Sequence, residues 1–148
     1  MTETPTVALR RARTCYDHLA GQFGCWLTQE LLDRQALLAF DGGTTGQRIT
    51  VDRRAGPMTE QPYVLGPNAT AIFGLLDVEL ALDGPSRRPL LRFCVDWTER
   101  RHHLAGALGA RVLVTFEQAG WVTRIPGQRA LILAERAERE LTDRLRAP

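Results

Sequence analysis

The sequence predicts an α+β fold: a tandem pair of winged-helix-like units, each helix–wing–helix, with a pseudo-twofold relation between them. Three observations predict it. The phrase His-Leu-Ala-Gly-x-x-Gly occurs twice, as "HLAGQFG" at 18–24 and "HLAGALG" at 103–109. The same order of elements can be drawn around each copy, with "ALLAF" opposite "GWVTR" and "YVLGPNATAIFGLL" opposite "ALILAERAERELTDRL". Turn-rich stretches separate short strand-like runs from longer helical ones. The 148 residues suit one domain or two very small ones. Repeats at 1–82 and 83–148, packed as one compact domain, are therefore expected.

Each element has its own grounds. Residues 6–20 hold no Gly or Pro, and Val7, Leu9, Ala12, Tyr16 and Leu19 roughly fit helical spacing. Thr4 or Thr6 can cap that helix, with Pro5 near its first turn. Residues 22–35 read as a second helix, with Phe23, Trp26, Leu27 and Leu31 near one stripe. "ALLAF" (36–40) is a short apolar run before the loop "DGGTTGQ". "RITVD" (48–52) alternates like a strand, 53–62 is a loop, and "YVL" (63–65) is a return strand. Residues 66–82 look helical, and "DGPSRRP" (83–89) is the clearest break. Helices are expected over roughly 89–104 and 106–119, the second stopped by Gly120. "WVTR", "IPGQ" and "RALIL" form a hairpin, and 134–147 a charged closing helix with Glu135/Arg139 and Glu140/Arg144 pairs. The repeated glycines remove bulk from a helix face, so the phrase is most simply a device for packing one copy on the other.

Composition excludes several classes. With 44% hydrophobic and 24% charged residues the chain is an ordinary globular protein. No apolar run reaches the roughly 18 residues of a membrane span. The N-terminus lacks the pattern of a secretory signal, so a cytoplasmic location is expected. All 19 basic residues are Arg, which excludes lysine Schiff-base chemistry and a P-loop lysine. The net charge of +2 is far from that of a dedicated nucleic-acid binder. Cys15, Cys25 and Cys94 fit neither a disulfide framework nor a CxxC zinc knuckle.

"RTCYDHLAG" (13–21) and "CVDWTERRHHLAGALG" (94–109) carry a family likeness. The chain resembles, from about Arg10 to about Leu145, the C-terminal region of the longer ArsR-type bacterial winged-helix regulators. The N-terminal DNA-binding winged helix of those proteins has no counterpart here, and Met1 stands about where the linker after it would lie. The resemblance implies the sensing half of a regulator, or a domain repurposed from one, that binds a small molecule. Between Gly109 and Gly120, "ARVLVTFEQA" offers only Arg111 and Gln118 as base-reading types, and "CWLTQELLDRQ" is no better. Weak or no DNA binding is expected of this chain, with no membrane partner and a homodimer as a further expectation.

The ligand site is expected between the repeats, lined by Trp97 with Phe23, Trp26 and Trp121 and edged by Cys15 and Arg100. An alternative is an enzyme. His18 and His103 would then carry protons, oriented by Asp17 or Asp96, with Cys15 as nucleophile. A third reading is a dimerisation module. A Cys/His/Asp cluster could also hold a soft metal such as zinc, but the spacing matches no recognised metal pattern. No metal site and no cofactor are therefore expected.

Overall fold

The computed structural model describes residues 4–39, 56–57, 62–80 and 89–146. Helix α1 (Pro5–Arg11) begins as expected, with Pro5 in its first turn and the Thr4 hydroxyl accepting the Val7 N–H at 3.2 Å. It then stops at Ala12, and the chain forms a hairpin of β1 (Arg13–Cys15) and β2 (His18–Ala20). Helix α2 (Gly21–Asp33) follows, then β3 (Leu37–Ala39), β4 (Gly56–Pro57), β5 (Tyr63–Leu65) and α3 (Ala69–Leu75). Strand β3 pairs with β5. A second hairpin, β6 (Arg92–Val95) and β7 (His102–Ala105), takes β4 on its free edge. Helix α4 (Gly106–Gln118), the hairpin β8 (Val122–Arg124) with β9 (Leu131–Leu133), and α5 (Ala137–Arg146) complete the chain. The fold is thus mixed α and β, with small antiparallel sheets. The order hairpin, helix, strand pair, helix occurs twice.

The helices expected over 6–20 and 89–104 are largely hairpins instead. Three physical causes act together. Thr14, Phe93 and Val95 favour an extended chain. Tyr16 and Arg100 adopt left-handed backbone, with φ of 59° and 56°, which a helix interior forbids. Asp96 Oδ1 accepts the Thr98 and Glu99 N–H groups, so a side chain builds the second turn in competition with a helix. The apparent stripe at the start was spurious, because Val7 and Tyr16 are exposed. The helix expected over 66–82 ends at Leu75, followed by left-handed Asp77. The strand expected at 48–52, most of the loops flanking it and most of the break at 83–89 lie outside the described residues.

The repeated glycines do a different job from the one expected. Gly21 and Gly106 open α2 and α4 with φ of 77° and 73°, directly after a strand. A Cβ at Gly21 would lie 2.8 Å from the Arg10 carbonyl oxygen, and one at Gly106 would lie 2.9 Å from that of Pro89. Gly24 and Gly109 do serve close approach. Their Cβ atoms would meet the Leu19 and Leu104 carbonyl oxygens at 2.7 and 2.9 Å, and that of Gly109 would meet His18 Cβ at 3.2 Å. Each phrase therefore reads strand, left-handed turn, helix seated on the strand it has just left.

Packing exchanges partners between the two hairpins. Helix α2 lies on β7 and α4 on β2, and β2 meets β7. Thr28 of α2 fixes the first contact: its hydroxyl accepts the Leu104 N–H at 3.0 Å and donates to the Gly24 carbonyl. Phe23, Leu27 and Leu31 of α2 share one apolar core with Leu108, Val112 and Phe116 of α4. Burying each such side chain contributes about 1.5–3 kcal/mol. The result holds the two hairpins against each other.

Candidate functional site

Each hairpin sets a cysteine opposite a histidine. Cys15 pairs across to His18, and Cys94 to His103. Side chains directly opposite on an antiparallel pair share one face. Because β2 meets β7, the two pairs converge. One ligand-type atom from each of Cys15, His18, Cys94 and His103 lies within 4.8 Å of all the others. The two histidine Nε2 atoms are 3.2 Å apart, and Cys94 Sγ is 3.6 Å from His18 Nε2. Cys94, His18 and His103 are buried, and Cys15 is half-buried.

A carboxylate stands behind each imidazole. Asp17 Oδ1 is 3.3 Å from His18 Nδ1, and Asp96 Oδ2 is 2.9 Å from His103 Nδ1. Each carboxylate favours the tautomer with Nδ1 as donor, which turns both Nε2 lone pairs towards the same point. Asp17 and Asp96 occupy the same place in Cys-Tyr-Asp and Cys-Val-Asp, two residues after a cysteine.

Asp96 is also the anchor of the region. Fully buried, it accepts from Arg13 Nη2 at 2.8 Å, the Gly21 N–H at 2.7 Å, and Thr98 through both N–H and hydroxyl. Burial alone would raise its carboxyl. Hydrogen bonds from His103 and Gly21, with the charges of His103 and Arg13, overcome burial and hold it well below the carboxylate range. Burial pulls His103 down, yet hydrogen bonds to Asp96 and Cys15 raise it. Hydrogen bonds from Cys94, His103 and His18 lower Cys15, against its burial. The same contact with Cys15 raises Cys94, helped by burial. Cys15 is thus the thiol favoured as thiolate.

A cleft of about 500 Å³ opens beside this cluster, lined among others by Cys15, Asp17, His18, Arg92, Cys94 and Gly106. Cys15 and His18, two of the expected site residues, line this cleft together with residues from the later part of the chain. The aromatic lining expected there is elsewhere. Trp97 is half exposed with the Arg13 guanidinium 4.3 Å over its ring. Phe23 is core, stacked on Trp26 and tilted against Phe116. Trp121 is core and donates to Glu140 at 3.2 Å. Arg100 turns the β6–β7 connection, its N–H bonded to the Asp96 carbonyl. The enzyme reading's His18, His103, Asp17 and Asp96 do cluster. Sequence reasoning missed Arg13 entirely and put Cys94 only in the Cys/His/Asp cluster weighed for a soft metal, not among the ligand or catalytic residues. The signal for Cys94 was the shared Cys-x-Asp ahead of each His-Leu-Ala-Gly.

The chain is similar to a helix-turn-helix-type transcriptional regulator. It is 31% identical over 127 residues to the uncharacterized HTH-type transcriptional regulator YdfF of Bacillus subtilis (strain 168). The match takes in 86% of this chain and 48% of that protein, so the chain spans about half the length of the relative. No family model and no solved structure matches the chain. Among the described residues no helix is long and apolar enough to cross a membrane.

Proposed function

We infer that the chain is the signal-receiving half of an ArsR-like regulator, built as two winged-helix-like repeats related by a pseudo-twofold. Its signal is a small molecule taken up where the repeats meet. Similarity to an HTH-type regulator over most of the chain supports the regulator origin. The recurring order of hairpin, helix, strand pair and helix supports the repeat. The observation that carries the ligand reading is the cleft itself, whose walls come from both hairpins and include the charged Arg92 beside apolar Phe93 and Ala105. Arg92 favours a ligand with an anionic group. With a net charge of +2, the chain by itself would bind DNA only weakly and in a salt-sensitive way.

A ligand screen by thermal unfolding tests this. Arg92 and Tyr16 line the cleft and are exposed, so Arg92→Ala and Tyr16→Ala leave the core intact. A small anionic compound should raise Tm of the parent chain and lose that effect in Arg92→Ala. Stabilisers indifferent to both substitutions would contradict the reading, as would a panel in which nothing stabilises.

A further inference from the structure

We propose that Cys15, His18, Cys94 and His103 form a four-ligand site for a zinc-class divalent metal ion, one Cys–His pair coming from each hairpin. This goes beyond the regulatory reading and does not rest on it. Two of the donor spacings already fit, and the four donor atoms all lie within 4.8 Å of one another. Tetrahedral zinc, with bonds of about 2.0–2.1 Å to nitrogen and about 2.3 Å to sulfur, sets two nitrogens about 3.3 Å apart and nitrogen and sulfur about 3.6 Å apart. The two Nε2 atoms are 3.2 Å apart, and Cys94 Sγ lies 3.6 Å from His18 Nε2.

The donors are also prepared. Asp17 and Asp96 behind the two Nδ1 atoms aim both Nε2 lone pairs inward. Two lone pairs at that separation repel unless a cation or a shared proton lies between them. Carboxylate–histidine–metal arrangements of this kind orient the ligand and raise its basicity. Two thiolates and two neutral imidazoles give a dication a neutral buried centre, which avoids the cost of an uncompensated buried charge. The set holds sulfur and nitrogen and no oxygen, so it selects zinc-like ions over magnesium or calcium.

An entry path exists as well. Cys15, His18 and Cys94 all face the cleft, and Cys15 is only half-buried. Four protein ligands leave no open position, which is the pattern of a site that holds structure together. The ion ties hairpin β1–β2 to hairpin β6–β7. Loading it then sets how the two halves sit against each other.

The test is a cobalt titration of the whole chain, stripped with chelator and kept under reductant. A single cobalt ion per chain should bind, with thiolate charge-transfer absorption in the near ultraviolet and the strong visible bands of a tetrahedral site. Zinc should displace it. Cys15→Ser should weaken binding more than about a hundredfold, and Asp17→Asn by about 10–100-fold, as expected for a partner behind a ligand. Cys25→Ser, which removes the thiol outside the set, should leave binding unchanged. A folded chain that takes up no cobalt overturns the proposal, and so does uptake unaffected by Cys15→Ser. With the small-molecule screen run on chelator-stripped protein, either result can fail without the other.

Discussion

Asp96→Asn should destabilise the fold more than any other single polar substitution at the junction. Asp96 is fully buried, and its oxygens face only donors: Arg13, Gly21, His103, and the groups of Thr98 and Glu99. An amide nitrogen placed at Oδ2 would confront the Gly21 N–H and His103 Nδ1. The Arg13 guanidinium, 1% exposed, would lose the carboxylate it pairs with. Removing one partner of a buried ion pair costs about 3–5 kcal/mol. At this chain length that corresponds to a Tm lower by roughly 10–15 °C. Urea unfolding of both proteins at neutral pH, with chelator present to exclude metal linkage, gives the difference. Arg13→Met added to Asp96→Asn should recover part of it, because the stranded cation is gone. A cost below about 1 kcal/mol for Asp96→Asn would refute the claim that this carboxylate anchors the junction.

Four further outcomes follow from the structure. Because Asp96 is held below the ordinary carboxyl value of 3.8, its contribution is full above that pH and lost as pH falls through the folded value. The acid limb of stability should therefore be flatter in Asp96→Asn, as urea unfolding across pH would read. Gly106→Ala should cost about 2 kcal/mol or more, from left-handed backbone and contact with the Pro89 carbonyl. Gly74→Ala, in helix α3 with open space around it, should instead stabilise by about 0.5–1 kcal/mol. Trp97→Ala should lose about 1 kcal/mol through the Arg13 contact and leave cobalt affinity unchanged, a test of whether this half-exposed ring belongs to the site.

Helix-forming stretches were legible where an apolar stripe ran unbroken. The helices expected over 22–35, on the stripe of Phe23, Leu27 and Leu31, and over 106–119 match α2 and α4 nearly residue for residue. The tight turn at 125–128 was legible from Pro126 and Gly127. The first hairpin was not. Its turn, Tyr16-Asp17, has no glycine, and Tyr16 takes positive φ against its own preference. The second was hidden because Asp96 closes a turn through its side chain, which periodicity does not register. That misreading also hid the site. On helices, Cys15 and His18 would be neighbours along one face, and Cys94 and His103 would be more than two turns apart. On hairpins both are cross-strand pairs. The repeated phrase pointed to His18 and His103, and the register that sets each opposite a cysteine is a property of the folded chain.

Zinc-edge X-ray absorption reads the junction most directly, on protein produced with zinc in the medium, kept reduced and free of any histidine tag. The hairpin account predicts a single zinc per chain with two sulfur neighbours at about 2.3 Å and two nitrogens at about 2.0–2.1 Å. Protein without zinc, or zinc surrounded by nitrogen and oxygen alone, would contradict it.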